Sequence, residues 1–144
     1  MSWPDGDFCT LSPRTDRDYT GRQWVLGHAD CWSLVREYYQ REFAITLGDY
    51  SVDYEWWTDG SENRYDDNWQ REGFTEIPIG EMQPGDIVLM KVRAPVTNHA
   101  AVYLGNNLIL HHMFGHLSSR IPLGEYWRER IVRVVRHREL FSEA

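Results

Sequence analysis

An α+β domain is what this sequence of 144 residues predicts. One amphipathic helical stretch stands early, strand-like runs follow it, and short turn signals join those runs as antiparallel neighbours. The length suits a single domain over 1–144 with one core. Residues 1–22 are rich in Pro, Asp, Thr and Arg without any period and read as an irregular arm. In 31–42 the positions Cys31, Leu34, Val35 and Tyr38 fall on one helical face, with Arg36, Glu37, Gln40 and Arg41 outward. Asp30 precedes them as an N-cap whose carboxylate can accept the amides of Trp32 and Ser33.

Residues 49–76 form an acidic aromatic insertion between this helix and the strands. Pro84, Gly85 and Asp86 then make a turn into a strand over 87–92, with Asp86 read as a turn residue. Runs at 99–104 and 108–112 flank Gly105, Asn106 and Asn107 and predict a hairpin. Residues 130–136 read as a last strand with its arginines on the more solvated side. The longest aliphatic runs are far shorter than the roughly 20 residues of a membrane span, and the first residues lack the basic and apolar blocks of a secretory signal.

The formal net charge is −7. Nine acids against two bases in 49–76 account for all of it, so the rest of the chain is neutral. Binding to a nucleic-acid backbone needs a basic face, which argues against such a partner. Cys9 and Cys31, the two cysteines, have dissimilar surroundings, and a chain of this size does not need a disulfide.

Cys31 opens a helix, where free amides and the macrodipole favour negative charge; its pKa is expected to fall and its reactivity to exceed that of Cys9. A small buried hydrophobe is the plainer reading of a cysteine on an apolar face. The hairpin offers bases: His99 opens one strand, and His111 and His112 close the other. A two-residue turn at Asn106 and Asn107 sets His99 on one face with His112; a three-residue loop sets it with His111. A cysteine at a helix end, a histidine base and a polar group orienting it have the general form of a thiol nucleophile with its triad. His112 and His116 have a spacing seen in zinc sites but lack a Glu-bearing helix, so no metal is assigned.

The blocks Asp30-Cys31-Trp32-Ser33-Leu34-Val35, Pro84-Gly85-Asp86-Ile87 and Asn98-His99 through Gly105 to His111 occur in this order. Together they resemble the NlpC-type cysteine peptidases of papain-like fold, in the branch carried by tail assembly proteins of long-tailed phages. The similarity covers about 19–138. It implies a helix bearing the nucleophile Cys31 packed on an antiparallel sheet, His99 as the base and His111 as the residue holding the His99 ring. It therefore prefers the three-residue loop, with His99 and His111 facing the Cys31 helix and His112 on the other side of the sheet.

The resemblance also implies a peptidoglycan stem peptide as substrate, other tail-tip proteins as partners, a place in the virion tail tip, and no cofactor or metal. Many family members carry a tyrosine shortly before the cysteine to bind the oxyanion; Trp24 stands there in this chain. Tyr19 or the Cys31 amide is then the expected donor, with Trp24 beside the substrate. Trp56 and Trp57 in the acidic insertion suit a substrate groove, a docking surface for another tail protein, or a small satellite core.

Overall fold

The computed structural model describes residues 19–24, 30–48, 65 and 68–141. The expectations for the arm before residue 19, for Cys9 and for Trp56 and Trp57 lie outside these residues. Helix α1 (Cys31–Phe43) begins where the sequence pattern places it. Asp30 is extended there, and its Oδ1 accepts the Ser33 amide at 2.8 Å. The helix ends on Ala44, left-handed at φ 57, with the Ala44 and Ile45 amides bonded to the Gln40 and Tyr39 carbonyls. That conformation places Cβ against the carbonyl and costs an alanine about 1 kcal/mol. Ala44 is exposed, so Ala44→Gly should raise stability by about that amount; a urea midpoint unchanged or lowered would contradict it.

Among the described residues six strands form one sheet in the order β1-β6-β2-β3-β4-β5: β1 (Phe74–Ile77), β2 (Ile87–Met90), β3 (His99–Gly105), β4 (Leu108–His111), β5 (Ser119–Pro122) and β6 (Ile131–His137). The five pairings between neighbouring strands of this sheet are all antiparallel. A further short helix, α2 (Glu125–Arg128), lies between β5 and β6. Two strands arise where the sequence reading had none. β5 pairs along β4, and β1 pairs with β6, so the acidic stretch ends as part of the sheet.

Alternation divides the core between two faces. Ile87, Leu89, Ala100, Val102, Leu110 and Val135 pack under Leu34, Val35 and Tyr39 of α1. Val88, Met90, Ala101, Ile109 and Val134 form the second face with Leu123, and Trp127 of α2 packs against it. The unbroken apolar run of β2 follows from this, because both of its faces are covered and all four residues are buried.

Arg136 and Asp86 correct the sequence reading. Arg136 is buried rather than solvated: its Nε and Nη2 donate to the two carboxylate oxygens of Asp86 at 2.8 and 2.9 Å. Asp86 is thus the counter-charge that lets an arginine lie inside β6, as well as a turn residue at the entrance to β2.

Candidate active site

The N-cap at Asp30 fixes Cys31 at the first helical position, and the helix lies over β3 so that the thiol meets that strand's beginning. Cys31 Sγ stands 3.1 Å from the Tyr65 hydroxyl and 4.0 Å from the Asn98 carbonyl oxygen. Asn98 is locked by its own side chain: Oδ1 accepts the Val92 amide at 2.7 Å and Nδ2 donates to the Val92 carbonyl at 3.0 Å. Its carbonyl and the start of β3 therefore hold a set position beneath the helix end.

The hairpin resolves the choice between His111 and His112. Asn106 and Asn107, both at positive φ, are the only residues between paired Gly105 and Leu108, which is a two-residue turn. A bulge between Tyr103 and Gly105 adds one residue, so Tyr103 pairs with Ile109 and Val102 with Leu110. The register is therefore the one expected from the longer loop, and His99 shares its face with His111. His99 Nε2 and His111 Nδ1 are 2.9 Å apart, and both residues are 3% exposed.

The side of the sheet differs from expectation. Ala100, Val102 and Leu110 occupy the helix face, so alternation sends His99 and His111 to the other, where both rings pack against Trp127 with centroids 6.0 and 4.9 Å away. His112 falls on the helix side, within electrostatic reach of Asp30 and Arg22. His99 is the first residue of β3, at the rim where the thiol reaches the strand through Asn98. Among the described residues no imidazole is hydrogen-bonded to the thiol.

Tyr19 is not at the sulfur. The Tyr19 hydroxyl donates to Glu42 Oε2 at 2.9 Å, and Glu42 lies about 16 Å along α1 from Cys31 at 1.5 Å per residue. Trp24 packs edge-on against Phe114. Tyr65 occupies the place beside the thiol instead. Sequence reasoning had no handle on it, because it sits in an acidic stretch without a helical or strand period. Trp127 was missed for a similar reason, its short helix spanning barely one turn.

Burial dominates the electrostatics. It pushes the Cys31 thiol up to about 11, with the Asp30 carboxylate as the second cause and the Tyr65 hydroxyl pulling the other way. The expectation of a lowered thiol pKa is thus reversed. Asp30 caps the helix and thereby sets a negative charge beside the sulfur, offsetting the macrodipole that favours a thiolate. Burial also holds His99 well below its ordinary range and brings His111 down to about 4. At neutral pH the resting site therefore contains a neutral thiol and two neutral imidazoles.

This has a measurable consequence in a Cys9→Ser background. Iodoacetamide reacts with the thiolate, so the rate at Cys31 should climb about tenfold per pH unit between pH 8 and 10 and level only near 11. A plateau near neutral pH would show a resting thiolate–imidazolium pair instead.

An open groove of about 610 Å³ is lined among others by Arg93, His111, His116, Ser119, Tyr126 and Trp127. Phe114, Leu117 and Tyr126 are large apolar side chains exposed on the surface. Among the described residues no cluster of three metal-ligating side chains occurs, and no helix is long and apolar enough to cross a membrane.

Known proteins are similar to this chain. The tail tip assembly protein K of Escherichia phage N15 is 45% identical over 141 residues, covering 97% of this chain and 58% of that protein. Its counterpart in Escherichia phage lambda is 36% identical over 119 residues, covering 83% and 59%. The chain thus spans about three fifths of the length of these relatives. A crystal structure of a lipoprotein-like NLP/P60 protein from Staphylococcus aureus has the same fold, with a TM-score of 0.59 at 24% identity over 83% of this chain and 37% of that one. The family model described as NlpC/P60 matches residues 18–136, from the approach to α1 through nearly all of β6. Its match takes in the helix-borne cysteine, the paired histidines and the sheet that holds them, and the chain belongs to the NlpC/P60 family.

Proposed function

We propose that this chain is a thiol peptidase that cuts peptidoglycan stem peptides as a component of a phage tail tip. The observation that carries the proposal is the buried His99–His111 hydrogen bond at the strand start that also presents the Asn98 carbonyl to the Cys31 thiol. A neutral His99 that donates from Nε2 to His111 Nδ1 keeps the lone pair on its own Nδ1, the state required of a base. In the reaction His99 takes the thiol proton as sulfur bonds to the peptide carbonyl carbon. It returns that proton to the departing amine, and water then hydrolyses the thioester. His111 acts through His99 by setting its ring and tautomer.

The tail-tip assignment rests on the phage relatives. The acidic stretch makes basic surfaces of other tail proteins suitable partners, with association weakened by salt. A second reading, a tail-tip structural protein with an unused site, is favoured by one observation: the thiol is held near 11, and among the described residues no imidazole is bonded to it. Incubation with purified sacculi separates the two. Release of stem-peptide fragments that iodoacetamide abolishes supports the peptidase; no release under conditions where the protein stays folded supports the structural role.

A further inference from the structure

We infer that the Tyr65 hydroxyl is the hydrogen-bond donor that stabilises the Cys31 thiolate and, in the peptidase reading on which this second part rests, the oxyanion formed when that sulfur attacks. The inference starts from placement. Tyr65 is 4% exposed, and its Oη lies 3.1 Å from Cys31 Sγ, which is ordinary hydrogen-bonding distance for a sulfur acceptor. The ring is held edge-on against Trp32, one residue beyond the nucleophile, with centroids 5.4 Å apart. Trp32 is itself buried and anchored by its indole N–H on the Gly48 carbonyl. The hydroxyl is therefore aimed from a braced support rather than from a free side chain.

The chemistry follows from the proton inventory. While Cys31 is a thiol, either atom of the pair can donate. Once the proton has passed to His99, the sulfur is purely an acceptor, and the phenol must be the donor. A phenol in a desolvated site is a strong partner for such an anion, and its pull on the thiol pKa opposes the effects of burial and Asp30. When sulfur bonds to a carbonyl carbon, the C=O π pair moves onto oxygen, and negative charge shifts from sulfur to an atom bonded to the same carbon. A donor already at the sulfur then lies within hydrogen-bond reach of that oxygen without reorganising. Tyr65 keeps its proton throughout; collapse of the adduct restores the C=O and expels the amine, protonated by His99. The other two hydroxyl or ring candidates, Tyr19 and Trp24, are engaged with Glu42 and Phe114.

The test uses the full chain with Cys9→Ser. Tyr65→Phe removes only the oxygen; Tyr65→Leu serves if the Phe variant does not fold. Trp32→Phe keeps the hydroxyl but loosens its support. Iodoacetamide rates at Cys31 are measured across pH 7–11. The expected result is that removing the hydroxyl slows alkylation about tenfold at any pH below the parent's plateau and leaves the rate still climbing at pH 11, while Trp32→Phe changes rates less than about threefold. Superimposable profiles for Tyr65→Phe and its parent overturn the inference, as does an equal shift in Trp32→Phe, which would mark the effect as packing. Hydrolysis of an isolated stem peptide judges the second part: loss of the hydroxyl should lower it about tenfold beyond the loss in alkylation, and equal losses would overturn the oxyanion role. A parent protein that cleaves nothing overturns the peptidase reading and the oxyanion role together, while the alkylation profile still decides the thiolate contact.

Discussion

Cys31→Ala will release no stem peptides from sacculi while the protein keeps its fold, and the loss should approach the roughly millionfold seen when a nucleophile is removed from a hydrolytic triad. The two halves of this expectation have separate grounds. Sulfur is the only atom of the residue that bonds to substrate in the proposed reaction. The side chain is small, sits at the first helical position, and contributes little to a core formed chiefly by Leu34, Val35 and Tyr39 from the same helix. His99→Ala should cost nearly as much, because without a base the neutral thiol near pKa 11 supplies almost no thiolate at pH 7. His111→Ala should cost less, on the order of 10²–10⁴, since an orienting residue fixes tautomer and ring position but makes no bond to substrate. Fragment release from sacculi with matched circular dichroism checks all three. Residual cleavage by Cys31→Ala at even a hundredth of the parent rate would remove sulfur from the mechanism.

The parts of this fold that were legible are those in which a local rule suffices. The helix of Cys31–Phe43 needed only a cap, a 3.6-residue apolar period and one chain direction, and Asp30 caps it through Ser33 as expected. The run Ile87–Met90 needed only its apolar continuity. The short strands Phe74–Ile77 and Ser119–Pro122 have neither signal: each is four residues long with a mixed pattern, and each owes its conformation to the neighbour it pairs with. Arg136 escaped for the same reason. A charge in a strand reads as solvated unless its partner is known, and Asp86 lies 50 residues earlier in the chain.

The candidate site divides along the same line. Cys31 and His99 stood out by residue type and position, whereas parity left His111 and His112 open and only the family resemblance preferred His111; the structure brings His99 and His111 into contact. The side of the sheet they occupy was not, because parity relates positions within the sheet and says nothing about which face receives the helix. That choice is made by packing: Ala100 and Val102 in β3, small and aliphatic, accept α1 closely, whereas the face bearing Ala101 and Ile109 is closed by Trp127 and Leu123. The thiol's titration was misjudged because the helix dipole was considered without the burial and the capping carboxylate that accompany it. Tyr65 reaches the sulfur across 34 residues of sequence, a tertiary contact with no local signature.

Asp86→Ala should be the most damaging single substitution for stability, lowering it by about 3–5 kcal/mol. Arg136 would remain inside the sheet, its side chain 10% exposed, with two donors aimed at a carboxylate no longer there. Its Nη2 would keep the Glu81 carbonyl at 3.0 Å, and the Gln83 amide would lose Asp86 Oδ2 as well. Against a typical total of 5–15 kcal/mol such a loss unfolds a large share of the molecules near 37 °C. The direction reverses if the charge is removed along with its partner. Asp86→Ala combined with Arg136→Met leaves no buried unpaired cation, and the thioether fills much of the volume vacated between β2 and β6, so the double variant should regain at least half of the loss. Urea unfolding of the three variants at one pH measures both quantities. A single variant within 1 kcal/mol of the parent would mean that water reaches Arg136, and a double variant no better than the single would mean that Asp86 matters through the turn at Gln83 rather than through the ion pair.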